Sequence, residues 1–320
     1  MRVLVTGVGG VLGTRVAMLL AADRRVDALA GTDIYTPRRR IPSMQFTEVD
    51  PRDRRRLLPA VRGFEPTAIV HLGIYEPDAR STPRLAHERT SANTLAVLGA
   101  AAEIGTLDRI VVRSGIEVYG RSRGAPSVPD ESVPPHPTTP FGRSLLEVER
   151  LTSAAAVAAG VPAAVLRLAP VVGPKVPSPL ARYLRLPVVP VSALADPAFS
   201  VIHVDDAANA VVAALFRSVD ETVNVVAPGA VTVWQAARLG GRVPIPLFGP
   251  EWRLVRRVAD LAGAPLPDHV TEVIHRGRTA DGGRMAEALG IDLAFTTRET
   301  VEAAQDGDPV PLRVIEGEAA

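Results

Sequence analysis

The chain has no cysteine, which removes disulfides, thiolate nucleophiles and cysteine-bound metals from consideration. It is nearly without lysine: Lys175 is the only one among 36 basic residues. No sign of charge dominates either, with 36 basic against 35 acidic residues and a formal charge of +1. That balance gives no electrostatic ground for nucleic acid or an anionic membrane as a partner. Long apolar runs are missing too. The most apolar window, Ala154 to Val172, is broken by Gly160, Pro162, Arg167 and Pro170, and reads as a buried helix followed by a strand rather than a membrane span. Met1-Arg2 leads straight into a strand and leaves no room for a signal peptide, so a cytoplasmic protein is expected. No His/Asp/Glu spacing suggests a metal site. What the chain does have is 320 residues that are 47% hydrophobic, enough for one large α/β domain or two smaller ones.

The stretch Val3-Leu4-Val5-Thr6-Gly7-Val8-Gly9-Gly10-Val11-Leu12-Gly13 organises the rest. Three consecutive apolar residues read as a strand buried on both faces, and Val11 to Ala22 has the apolar density of a helix packed on it. Gly7, Gly10 and Gly13 stand between them at G-x-x-G-x-x-G spacing. Such a turn lets backbone approach a pyrophosphate, and the helix that opens at Val11 and Leu12 offers free N–H groups and a positive dipole end. A second strand, Val26 to Asp33, ends on a carboxylate about 20 residues further on. Asp33 there accepts hydrogen bonds from ribose hydroxyls and repels a 2′-phosphate, which favours NAD; Arg38, Arg39 and Arg40 keep NADP open.

Strands at Gln45–Val49, Thr67–Leu72, Asp108–Arg113 and Ala163–Leu168 alternate with helices starting at Asp53, Arg84 and Phe141. The alternation predicts an α/β fold: a Rossmann-type doubly wound parallel sheet in residues 1–169. Prolines then cluster and the elements shorten, predicting a smaller mixed C-terminal substrate domain over residues 170–304, with room for some of its segments to rejoin the first. Helices are expected at Pro179–Leu186, Asp205–Phe216, Val233–Leu239, Glu251–Ala262 and Gly283–Leu289, and residues 305–320 read as an acidic tail.

The motifs taken together resemble the NAD-dependent epimerase/dehydratase family of extended short-chain dehydrogenase/reductases. The resemblance runs through Val5-Thr6-Gly7-x-x-Gly10-x-x-Gly13, Val49-Asp50-x-x-Asp53, His71-Leu72-Gly73, Ser114 with Val118-Tyr119-Gly120, Leu166-Arg167-Leu168 with Gly173-Pro174, and Ile202-His203-Val204-Asp205-Asp206. It implies Asp50 beside the adenine, Leu72, Gly73 and Ile74 along the cofactor cleft, and Thr90 where the family usually carries Asn. It also implies a small-molecule substrate of nucleotide-sugar type, and a homodimer built on the helices Arg84–Ile104 and Phe141–Ala159.

The chemistry departs from that pattern. The family's acid/base Tyr, its Lys partner four residues later and its Ser/Thr fall on Phe141, Leu145 and Gly115. A phenol titrates near 10 and needs a fixed cation to act as a base, so the standard mechanism is lost with the pair. Candidates to replace it are Ser114, Glu117 and Tyr119, with Arg143 and His136 nearby. Pro170 replaces the family's substrate-contacting Asn, and Lys175, Arg182 and Arg185 are candidates to meet a diphosphate. Two readings follow: an epimerase, dehydratase or reductase with an altered acid/base set, or a dinucleotide-binding sensor or partner protein without hydride chemistry.

Overall fold

In the computed structural model, residues 1–305 are described apart from 79, 80, 102, 104, 253, 254, 256 and 258–265. Most of the expected helix Glu251–Ala262 and nearly all of the acidic tail lie outside the described residues.

Seven parallel strands form the central sheet: β1 (Arg2–Thr6), β2 (Ala28–Asp33), β3 (Met44–Glu48), β4 (Ala68–His71), β5 (Arg109–Gly115), β6 (Ala163–Leu168) and β11 (Thr222–Val225). Their order is β11-β6-β5-β4-β1-β2-β3. The winding reverses beside β1, where Thr6 is in register with both Thr32 and His71, so the cleft of a doubly wound sheet opens at the carboxyl end of β1. Helices α1 (Val11–Ala22) and α6 (Val204–Arg217) pack together, while α3 (Pro83–Ala101) packs on α2 (Arg54–Phe64) and α4 (Pro140–Ala159). Local chemistry sets these starts: Asp53 caps α2 by accepting from the Arg56 N–H, and Thr139 caps α4 with Pro140 in its first turn.

Beyond residue 170, a second hydrophobic cluster gathers α5 (Pro179–Leu184), α7 (Val233–Leu239), α8 (Asp268–Arg276) and α10 (Thr297–Ala304) around Phe199, Val189 and Trp252. Short strand pairs stitch it: β7 (Val171–Val172) with β10 (Ile202–His203), β8 (Val188–Ser192) with β13 (Val243–Leu247), and β9 (Ala198–Phe199) with β12 (Val231–Thr232). Two segments of this half rejoin the first core. β11 becomes the edge of the large sheet next to β6, and α6 lies against α1; α9 (Gly283–Leu289) follows them.

His71, fully buried at the end of β4, touches Thr6 Oγ1 through Nδ1 (2.8 Å) and Thr94 Oγ1 through Nε2 (3.0 Å). Thr6 Oγ1 also accepts from the Gly73 N–H, so the network ties β1, β4 and α3 together. Burial lowers the imidazole pKa from 6.5 to about 4. The unfolded chain therefore takes up this proton first. The neutral ring's contribution is complete above about pH 6.5 and is lost as pH falls toward 4, on the order of 3 kcal/mol in total. Urea unfolding at pH 7 and pH 4.5 should show this loss in the wild type and a shallower one in His71→Gln.

Candidate active site

The glycine turn follows β1. Gly7 has φ +79°, and a methyl group there would press on the Leu72 carbonyl at 2.7 Å. Gly13 sits so close to the turn that a methyl group would overlap the Gly7 carbonyl oxygen. Gly10 differs, its outward side meeting nothing nearer than 3.5 Å, which leaves room for a ligand at the helix entrance. No side chain caps α1 there. Asp33, buried at the end of β2, accepts from the Gly9 N–H (2.9 Å) and the Tyr35 N–H (3.2 Å). Burial raises its carboxyl pKa, opposed by those backbone donors. A close-approach turn, an open helix N-terminus and a strand-end carboxylate together fit a dinucleotide. Leu72 and Ile74 are buried beside the turn, and Asn93, three residues after Thr90, donates to the Gly73 carbonyl (3.1 Å). The Thr90 hydroxyl accepts the Tyr75 N–H (3.0 Å), so it braces the loop after β4.

A pocket opens beyond the carboxyl ends of β5 and β6, lined by Glu76, Gly115, Glu117, Phe141, Pro170 and His269 among others. Its floor explains the glycine at position 115. A side chain on Gly115 would overlap the Glu117 carboxylate and meet Leu145 Cδ1 at 3.1 Å. The Glu117 carboxyl group thus fills the volume in which a residue-115 hydroxyl would stand. Glu117 belongs to a short 3-10 turn, Ile116–Tyr119, and is 6% exposed. Phe141, in the first turn of α4, lays its ring 4.8 Å from the imidazole of His269. His269 Nε2 in turn meets Glu76 Oε1 at 2.9 Å.

Two of the three candidate acid/base groups are committed elsewhere. The Tyr119 hydroxyl donates to Asn224 Oδ1 and accepts from Arg167 Nη1, both at 2.9 Å, and burial raises its pKa. Ser114 borders the pocket, but its hydroxyl donates to Glu149 Oε1 (2.6 Å). That carboxylate is held by a two-point ion pair with Arg167 at 2.9 and 2.8 Å. These contacts place both Ser114 and Tyr119 in a buried network joining α4, β5, β6 and β11. Glu117 alone of the three presents its carboxyl group to the pocket.

The basic candidates fall outside it. Arg143, Lys175 and His136 are exposed, and Arg182 is half-buried on α5 away from the pocket lining. Asp50 is likewise engaged, both its oxygens taken by Arg52 at 3.0 and 2.8 Å, which lowers its pKa. His203 caps α6 and stacks on Phe295 at 4.0 Å. Among the described residues no cluster of His, Asp and Glu could hold a metal ion, and no helix is long and apolar enough to cross a membrane.

The sheet order and the cradle define a Rossmann-type α/β protein. The chain belongs to the NAD dependent epimerase/dehydratase family, whose sequence model matches residues 3–226. Solved structures of similar fold include UDP-glucose 4-epimerase from Thermotoga maritima with UDP-glucose, at TM-score 0.74 and 20% identity over 95% of this chain and 97% of that one. UDP-glucose 4-epimerase from Thermus thermophilus in complex with NAD gives TM-score 0.74 and 24% identity, covering 96% and 98%. An uncharacterized protein of Mycobacterium tuberculosis is 28% identical over 99% of this chain and 88% of its own length.

Proposed function

We propose that the chain is an NAD-dependent epimerase, dehydratase or reductase for a nucleotide-sugar or similarly polar small molecule, with Glu117 as the proton-transferring group. The observation that carries this is the Glu117 carboxylate over Gly115, in the volume of the missing hydroxyl side chain and open to the pocket. Gly7, Gly10 and Gly13 with the α1 N-terminus would hold the pyrophosphate, and Asp33 the adenosine ribose. A nicotinamide dinucleotide bound there supplies reversible hydride acceptance. Glu117 would take the proton from the substrate hydroxyl as its carbon is oxidised and return it on reduction. Across the pocket, His269 oriented by Glu76 would be the second proton-handling group, with Phe141 supplying an apolar wall where the family has its phenol. The same reading includes a homodimer through α3 and α4, where Leu95 and Val157 are exposed.

Calorimetric titration of NAD, NADH, NADP and NADPH, followed by UDP-, GDP- and dTDP-sugars into the NAD-loaded protein, tests it, with absorbance recording cofactor reduction. NAD binding with reduction by one of the sugars is the expected result. Tight NAD binding with no reduction by any polar substrate would favour the sensor reading instead.

A further inference from the structure

The rim of the cleft opposite the glycine turn holds a charged group with no part in the chemistry proposed above. Arg89, on α3, has a side chain only 16% exposed, yet its Nε is buried with no hydrogen-bond partner among the described residues. Its guanidinium reaches Asp50 Oδ2 at 3.7 Å, an ion-pair distance too long for a hydrogen bond. Asp50 has no need of it, being already bound at both oxygens by Arg52. The Arg89 guanidinium also lies 5.9 Å from the Tyr75 ring and within electrostatic reach of the Asp33 carboxylate.

Leaving a buried guanidinium donor such as this Nε without an acceptor is costly. Such a group is held ready for a ligand that brings acceptors or a π-face. Its place in the fold says which part of a ligand that is. Asp33 ends β2 and is in register with Glu48 of β3, so Asp50 lies just past the next strand end. Outward from the glycine turn, the ribose position at Asp33 is followed by the space bordered by Asp50, Tyr75 and Arg89. A base attached to that ribose points there. Pro51 has no N–H to donate, and both Asp50 oxygens already accept from Arg52, so this edge of the cleft offers the base few free groups from the β3 side.

We propose that Arg89 binds the adenine end of the dinucleotide, its guanidinium stacking on the face of the base. The proposal rests on the dinucleotide reading above and adds to it a residue on α3, far in sequence from the glycine motif. A cation against an aromatic face in a partly desolvated site is worth about 1–2 kcal/mol, or roughly 5- to 30-fold in affinity.

The test is calorimetric titration of NAD and of ADP-ribose into wild type, Arg89→Ala, Arg89→Gln and Arg89→Lys, with thermal unfolding of each apo protein as the folding control. The expected result is about a tenfold loss for both ligands in the Ala and Gln variants, with Lys between them and the wild type. The Gln variant keeps the side chain's bulk, so the comparison survives if Ala disturbs α3. Variants that bind NAD within twofold of wild type would overturn the proposal, as would a loss for NAD that ADP-ribose does not share. A wild type that binds neither ligand would instead defeat the dinucleotide reading itself, and this inference with it.

Discussion

Glu117→Gln is expected to leave NAD affinity and the unfolding temperature near those of the wild type while slowing cofactor reduction by about 10²- to 10⁴-fold. The substitution keeps the shape of the side chain over Gly115, so Leu145 and Phe141 need not move. It removes only the capacity to accept a proton. A structural role would show the opposite pattern, with lost stability and little change in rate. Single-turnover reduction, followed by absorbance with a sugar that reduces the wild type, makes the measurement. A Gln variant that reduces the cofactor at the wild-type rate would move the assignment to His269.

Gly13→Ala should act on stability and binding together. A methyl group there overlaps the Gly7 carbonyl oxygen, and neither backbone can yield cheaply, since Gly7 is itself wedged against Leu72 and Gly73. Overpacking of this kind costs on the order of 1–3 kcal/mol, or several degrees in Tm for a chain of this size. The strain is relieved by opening the turn, so NAD affinity should fall by at least tenfold as well. Gly10→Ala is the useful contrast. Its methyl group meets only ordinary contact at 3.5 Å, so the apo protein should unfold near the wild-type temperature. Scanning calorimetry with and without NAD separates the two effects.

The sheet was legible because its signals are local. Apolar stretches ending at glycine or aspartate marked β1, β2 and β4 within a few residues, and helices such as Val233–Leu239 and Gly283–Leu289 agree closely. Asp53 could be recognised as a cap for the same reason. The pocket was legible on one side only. Glu117 lies in the Ser114–Gly120 motif, but nothing local reveals that Gly115 makes room for its carboxylate. His269 was missed altogether because its helix, Asp268–Arg276, was not anticipated. Signals for that helix were present: Pro267 before it, Asp268 in its first turn, Val270, Val273 and Ile274 at helical spacing, and Gly277 after it. Its function could not be read that way, since its partner Glu76 is 193 residues distant. The partners of Tyr119 and Ser114 were hidden for a related reason. Their motif is shared with the family, but Arg167, Glu149 and Asn224 bind their hydroxyls across strands that no spacing connects.

The exchange at positions 115 and 117 also constrains how this protein could be converted into one with the family's usual set. A serine introduced at position 115 and the glutamate at 117 would compete for the same small volume, so their effects cannot add. Making Gly115→Ser first would evict the carboxylate before the tyrosine and lysine were in place, leaving a protein with neither chemistry. Removing Glu117 first meets the same gap, so on the reading proposed above every order that changes position 115 or 117 before Phe141 and Leu145 passes through a protein with neither set.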